Sequence, residues 1–261
     1  MPPLLEVTSP DNPRIKRARS LSSPRMVKKH RLYLLEGPRF ISDLPPDAAA
    51  NYLVLSRGAT PIAEKVASRA AKAGVDVLDV PEEVFASISD TTTSQGLAAV
   101  CPIPRTSVRQ ACSGRLVLVL DGVSDPGNVG TSIRSAAAFG CGGVLLGKGC
   151  ASAYSTKAVR ASAGTVAVTK ICESLDLPEA VDSVLAESYL LLGADVSGDY
   201  SPPSKKSEKV VLFVGSESHG LSREVRSRMD HLVGIPISDR VESLNAAVSA
   251  SILLHALRGR S

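Results

Sequence analysis

Apolar and polar residues alternate along this 261-residue chain in blocks that switch between strand-like and helix-like periods. Short apolar runs rich in β-branched residues predict buried strands at 32–36, 52–56, 75–80 and 96–103. Ile62, Val66, Ala70 and Ala73 recur at helical spacing and predict a helix over 61–73, with a shorter one over 81–88. Ahead of this block, residues 1–31 form a basic, proline-punctuated arm with one short helix after Asn12-Pro13. Pro102-Ile103-Pro104 closes the block, which sets a boundary at 104 and a stiff linker over 105–114. A second block repeats the alternation. Its strands fall at 115–120, 143–146, 165–171, 190–194, 209–214 and 232–236. Helices at 128–139, 156–163, 178–188 and 223–229 separate them, a polar loop at 197–208 carries Pro202-Pro203, and a last helix starts at Ser243. This order predicts an α/β class: a smaller α/β domain, 1–104, with a parallel or mixed sheet, then a parallel-sheet domain, 115–261.

Composition adjusts that picture in two places. Apolar residues make up 44% of the chain but aromatics only 3%, so the core has to be built from Ala, Val, Leu and Ile. The net charge of +4 is unevenly spread. Nine Lys/Arg lie between Arg14 and Arg39 against one acid, Glu36, which leaves the rest of the chain at −4. Such a window is the footprint of a phosphate-backbone partner, with Arg14, Lys16, Arg17 and Arg19 as first candidates for RNA contact; a solvated helix face is the competing reading. No run of about 18 apolar residues is present, so no membrane span is expected. The N-terminus lacks the pattern of a secretory leader, and the five cysteines show no C-x-x-C pairing. These features point to a cytoplasmic protein with reduced thiols, an organellar location staying open. The four histidines are scattered, so no metal site is expected.

The chemistry concentrates in three polar segments, each following an apolar run. Asn128-Val-Gly-Thr-Ser-Ile-Arg134 comes after 116–120, Gly215-Ser-Glu217 after 210–214, and Glu242-Ser243-Leu244-Asn245 after 232–236. Parallel strands would bring such segments together past their carboxyl ends, where open α/β sheets bind ligands. The first strand leads into no G-x-G-x-x-G, and Gly147-Lys148 is followed by Gly149, so neither a dinucleotide nor a P-loop site is supported. Asn128 and Ser243 sit where helix caps belong, and Arg134 would project from the second turn beyond Asn128.

These segments resemble the motifs of the SpoU/TrmH branch of the SPOUT RNA methyltransferases. N-x-G-x-x-x-R is met by Asn128, Gly130 and Arg134. G-N-E-G-x-G-L is met by Gly215-Ser-Glu217-Ser-His-Gly220-Leu221, with Ser216 and Ser218 departing from it, and the I-P…E-S-L-N motif by Ile235-Pro236 and Glu242–Asn245, with Asp239 where many relatives have Gly. A weaker likeness, in Asn12–Lys16, Leu35-Glu-Gly37 and Ser94-Gln-Gly96, is to the substrate-binding domain common in that family. The resemblance implies a catalytic domain knotted as a trefoil and S-adenosyl-L-methionine as methyl donor. It also implies methylation of a ribose 2′-hydroxyl, with ribosomal RNA favoured over tRNA. A non-catalytic RNA-binding or assembly factor on the same scaffold is the rival reading.

By the same resemblance Arg134 is the catalytic arginine, with Asn128, Glu217, Ser243 and Asn245 at the catalytic centre. Gly215, Ile235 and Leu244, with Leu212 and Ala194, would hold the cofactor, and Arg160, in Arg160-Ala-Ser162-Ala-Gly164, would face RNA. The family also pairs through this domain. A homodimer is therefore expected, and Leu244, Val248, Ile252 and His255 would give the last helix an apolar face for it.

Overall fold

The computed structural model describes residues 4–45, 50–91, 93–185, 189–199 and 209–258. The chain divides into two compact units: Met1–Pro104 with Tyr154–Val168, and Arg105–Ala153 with Thr169–Ser261.

The first unit begins with β1 (Leu5–Glu6), α1 (Pro13–Ser20), α2 (Pro24–His30), β2 (Leu32–Glu36) and α3 (Pro38–Ser42). It continues through β3 (Tyr52–Ser56), α4 (Pro61–Lys72), β4 (Val77–Val80), α5 (Glu82–Ala86) and β5 (Leu97–Pro102). Its sheet runs β1-β4-β3-β5-β2 and is mixed, because β5 is antiparallel to both neighbours while β1, β4 and β3 are parallel. The basic segment expected as an arm is instead folded into this unit. Asn12 accepts a hydrogen bond from the Arg14 N–H at 2.9 Å and Pro13 opens α1. Ile15, Ala18, Leu21 and Val27 are then buried on the inner side, leaving the cations outside. Apolar spacing, and not charge, decides the fate of this segment. At Gly96, with φ +80°, a Cβ would come within 2.6 Å of Ala59 Cα, so only glycine lets β5 start there.

The second unit follows as α6 (Val108–Ala111), β6 (Leu116–Asp121), α7 (Pro126–Ala138) and β7 (Gly143–Gly147). After α8 (Thr156–Ala161) come β8 (Ile171–Leu175), α9 (Leu177–Ala180), β9 (Leu190–Asp199) and β10 (Val210–Gly215), then α10 (Arg223–Arg226), β11 (His231–Val233) and α11 (Ala246–Leu257). The six strands are all parallel, in the order β11-β9-β10-β6-β7-β8. Residues 116–120 and 210–214 are 4% exposed or less, as central strands covered on both faces require. Because every strand points the same way, the segments after β6, β9, β10 and β11 share one edge of the sheet. α7 and α11 pack against each other, with Ser135 and Ser251 hydroxyls 2.6 Å apart.

Several boundaries differ from the sequence reading. α7 starts two residues early, capped by Asp125, whose carboxylate accepts from the Asn128 N–H at 2.9 Å. Asn128 is therefore not the cap, and its side chain is free for other bonds. α11 is capped by Asn245, accepting from Ala247 and Val248 N–H at 2.9 and 3.2 Å, and not by Ser243. The strand expected over 165–171 starts only at Ile171. Gly164 at φ +82° and a Thr165 hydroxyl donating to the Ser162 carbonyl at 2.7 Å keep the backbone turning. The segment around α8, expected in the catalytic domain, clusters with the first unit: the Tyr154 and Tyr33 rings lie 5.2 Å apart, tilted at 47°, and Gly164 lies against Phe40. β9 runs on to Asp199, into the expected polar loop, whose residues 200–208 lie outside the described residues. Residues 186–188 of the expected helix 178–188 lie outside them too. Among the described residues, no helix is long and apolar enough to cross a membrane.

Candidate active site

At the carboxyl edge of the parallel sheet a cleft of about 400 Å³ opens, within the range of small-molecule sites. Its floor is apolar, from Val214, Val233, Ile235, Ile237, Leu244 and Leu253. Its polar lining comes from Asp195, Ser216, Glu217, His219, Glu242, Ser243 and Ser249. The loop after β10 makes one wall. It doubles back on itself, with Ser216 N–H donating to Gly220 O at 3.1 Å and Gly220 N–H to Ser216 O at 2.9 Å. This works only with glycine at 215, where a Cβ would stand 2.0 Å from the Gly220 carbonyl carbon. Both departures from the family motif serve this loop. The Ser216 hydroxyl accepts from His219 N–H at 3.3 Å, and the Ser218 hydroxyl lies 2.7 Å from His219 Nδ1.

Three expected site residues, from the first turn of α7, the loop after β10 and the cap of α11, are joined in series. Asn245 Nδ2 donates to Asn128 Oδ1 at 3.0 Å, and Asn128 Nδ2 donates to Glu217 Oε1. Glu217 belongs to the cleft wall, so the chain links the starts of α7 and α11 to the pocket. Of the other expected residues, Ser243, Gly215, Ile235, Leu244 and Ala194 line the cleft. Leu212 does not: it is fully buried inside β10, with β6 on one side and β9 on the other. Arg134 does not either. It is exposed on α7, six residues beyond Asn128 and so about 120° around the helix from it. Arg134 makes no side-chain hydrogen bond or ion pair among the described residues.

The sequence reading missed Asp195. This carboxylate lines the cleft, is held by Arg226 in α10, and accepts from the Ser197 N–H at 2.9 Å and hydroxyl at 2.6 Å. Its position at the end of the apolar run 190–194 was the available signal. His219, Ser249 and Leu253 had none beyond their loops and helix.

On the first unit, three of the four basic candidates are already engaged. Arg14 pairs with Asp76 at 2.8 Å beside the Tyr52 ring, Lys16 pairs with Asp11 at 2.9 Å, and Arg19 donates to the Ser87 hydroxyl at 2.9 Å. Arg17 is exposed and makes no side-chain bond among the described residues, and Arg25, Lys28 and Lys29 are exposed near it in sequence. Partial burial first, then the charges of Arg17 and Lys29, hold His30 below the usual imidazole range. Arg160 Nη1 donates to the Asp90 carbonyl at 3.3 Å. All five cysteines are free, and burial pushes the thiols of Cys101 and Cys141 up to about 12, where they are poor nucleophiles. No group of three or more His, Cys, Asp or Glu that could hold a metal ion occurs among the described residues.

An all-parallel sheet, a ligand-sized cleft at its carboxyl edge and an asparagine–asparagine–glutamate chain beside it match what the resemblance to the SPOUT methyltransferases implies. The SpoU rRNA methylase family model matches residues 115–255, and the MRM3-like substrate binding domain model matches residues 12–99. The chain belongs to the SpoU rRNA methylase family and is an RNA ribose 2′-O-methyltransferase that uses S-adenosylmethionine. It is 30% identical to the 23S rRNA (guanosine(2553)-2′-O)-methyltransferase RlmP of Bacillus subtilis, over 97% of this chain and 99% of that one. An AdoMet-bound rRNA methyltransferase from Sinorhizobium meliloti superposes with a TM-score of 0.84 at 30% identity, covering 96% of each chain. The SpoU methyltransferase AviRb from Streptomyces viridochromogenes gives 0.80 at 25% identity, over 94% of this chain and 95% of that one.

Proposed function

We propose that this enzyme methylates a ribose 2′-hydroxyl of ribosomal RNA, as a homodimer in the cytoplasm, with the cleft as cofactor site. The observation that carries the reading is the Asn245–Asn128–Glu217 chain at the cleft wall, which links the starts of α11 and α7 to the loop after β10 through hydrogen bonds. The cleft suits the cofactor's chemistry. Its apolar floor matches a purine, and the carboxylates of Asp195, Glu217 and Glu242 match a sulfonium and an ammonium.

S-adenosylmethionine supplies an electrophilic methyl group, so the residues have mainly to align a weakly acidic hydroxyl and assist loss of its proton. Gly215, Ile235 and Leu244 line the cleft and would hold the cofactor there through their backbone groups. Asn128 and Asn245 fix Glu217, and Ser243 offers a hydroxyl at the same edge. Arg134 orients the target ribose and its phosphate, while the proton passes to a phosphate oxygen or water, since a guanidinium keeps its own. Its exposure away from the cleft of its own chain supports a shared site, in which Arg134 serves the cofactor held by the partner subunit. The exposed Val248 and Ile252 on α11 supply apolar surface for such pairing. Arg17, Arg25, Lys28 and Lys29, which make no side-chain bond among the described residues, are the first cations for RNA phosphates, and Arg14, Lys16 and Arg19 can join by exchanging exposed partners that hold them weakly.

The test is to incubate purified protein and labelled S-adenosylmethionine with ribosomal RNA from cells lacking the gene, then digest the RNA to nucleosides. A labelled 2′-O-methylnucleoside is expected. Label on a base, or label in tRNA and none in ribosomal RNA, would refute the assignment.

A further inference from the structure

Glu36, at the end of β2, does something the catalytic reading does not use. One of its oxygens, Oε1, accepts three hydroxyl hydrogen bonds: from Ser89 at 2.8 Å, Thr91 at 2.6 Å and Ser94 at 2.6 Å. All three donors belong to one surface segment, Ser89-Asp-Thr-Thr-Thr-Ser-Gln95, seven consecutive polar residues. Further bonds hold the same segment. The Ser89 and Thr91 hydroxyls are 3.1 Å apart, Thr91 N–H donates to Ser89 Oγ at 3.2 Å, and Gly96 N–H donates to Ser94 Oγ at 3.1 Å. Arg160 reaches the Asp90 carbonyl at 3.3 Å, and Thr60 N–H donates to the Gln95 carbonyl at 3.2 Å. Asp90, Thr93, Ser94 and Gln95 nevertheless remain exposed.

A loop with no apolar anchor is ordinarily mobile, because ordering its residues costs backbone entropy. Here the Glu36 carboxylate at the end of β2 supplies the anchor and draws the Ser89, Thr91 and Ser94 hydroxyls toward it, while Asp90, Thr93 and Gln95 face solvent. The solvent-facing groups here, the Asp90 carboxylate, the Thr93 hydroxyl and the Gln95 amide, are donors and acceptors suited to base edges and 2′-hydroxyls. Phosphates position a partner without reading it. The free cations on α1 and α2 supply that second kind of interaction.

We propose that the residues flanking Thr92 on either side, Ser89–Thr91 and Thr93–Gln95, form the element of the first unit that discriminates among RNAs, and that Glu36 is their positioning residue. The inference rests on the RNA-substrate reading above. RNA recognition thereby divides in two: affinity and salt dependence lie with the α1–α2 cations, and choice of target lies with the loop that Glu36 holds.

The experiment measures binding of the full chain to a 23S rRNA transcript and to a shuffled RNA of equal length, across a salt series. Glu36→Ala should lower the preference for the 23S transcript at least tenfold, with the salt slope, the affinity for S-adenosylmethionine and the melting temperature near wild type. Glu36→Gln keeps an acceptor oxygen and should largely restore the preference. Thr93→Val, at an exposed residue outside the Glu36 bonds, should also lower it and decides the question if Glu36→Ala does not fold. A preference unchanged in Glu36→Ala or Thr93→Val, a reduced salt slope, or a joint loss of stability and cofactor affinity in Glu36→Ala that Thr93→Val does not explain would overturn the proposal. Wild-type protein with no preference between the two RNAs would instead remove the ribosomal-RNA reading on which it rests.

Discussion

Replacing Gly215 by alanine should weaken cofactor binding severalfold or more while leaving most of the fold intact. The new Cβ would lie 2.0 Å from the Gly220 carbonyl carbon, 2.1 Å from its oxygen and 2.3 Å from the Leu221 nitrogen, all backbone atoms that no rotamer change can move. Ordinary packing distance starts at 3.4 Å, so the loop 216–220 must retreat by about 1.4 Å. That retreat breaks the Ser216–Gly220 hydrogen-bond pair and moves Glu217 and His219, which line the cleft. Overpacking of this kind costs about 1–3 kcal/mol, equivalent to roughly 5- to 150-fold in affinity if the loop bears it. The strand itself is held by six-residue pairing to β6, so the melting temperature should fall by only a few degrees. Titration calorimetry with S-adenosylmethionine, alongside thermal unfolding, measures both quantities. Wild-type affinity in Gly215→Ala would show that the cofactor does not depend on this loop and would refute the placement of the site.

Arg134→Ala should leave cofactor affinity within about twofold of wild type and reduce turnover by about 10² or more, the size expected when electrostatic stabilisation of a transition state is removed; the opposite split would assign Arg134 to cofactor binding. Mixing Arg134→Ala with Asn245→Ala protein under subunit exchange should restore activity if each site draws on both chains, and no recovery with demonstrated exchange would place both residues in one chain's site. Removing the charges of Arg17, Lys28 and Lys29 together should lower the salt slope of RNA binding by about 0.7–0.9 for each phosphate no longer neutralised, with cofactor binding unchanged. Methyl transfer should persist in excess chelator once RNA structure is maintained by monovalent salt, and a strict requirement for an added divalent ion would contradict the metal-free reading.

The central strands and the motif loops were legible because their signals are local. Runs such as 116–120 and 210–214 are apolar without alternation, and they are the strands buried on both faces. The caps were less legible. Asp125, Asn128, Ser243 and Asn245 are all good capping residues, and only the path of the backbone chooses Asp125 and Asn245. The choice matters, because with Asp125 as the cap the whole Asn128 amide is given to the bridge between Asn245 and Glu217. The basic segment misled for a different reason. Its charge is conspicuous, whereas the four inward residues that fold it, Ile15, Ala18, Leu21 and Val27, are sparse. The run at 165–171 has β-branched residues at Thr165, Val166, Val168 and Thr169, yet propensity there yields to Gly164 and to packing around α8.

The placement of Arg134 connects assembly to chemistry. α7 and α11 lie side by side on one face of the sheet, α7 against β6 and α11 against β10, so the outer sides of both helices form a single layer. The inner side of α7 is filled by Val129, Ile133 and Ala136, and Asn128 and Ser135 are engaged with Asn245 and Ser251. Only the outer side remains for Arg134. On α11 the same layer carries Val248 and Ile252, 45% and 39% exposed, although burying a side chain of this kind is worth about 1.5–3 kcal/mol. An arginine with no partner among the described residues and two apolar side chains without cover thus share one surface, while the cleft opens at the sheet edge. A second copy placed over that layer would bury the valine and isoleucine and would carry each Arg134 away from its own α7 face toward the opposite subunit. Under the proposed pairing, the fold that completes the cofactor cleft within one chain leaves the RNA-orienting group to be supplied across the interface, so dimerisation becomes a condition of turnover and not of cofactor binding.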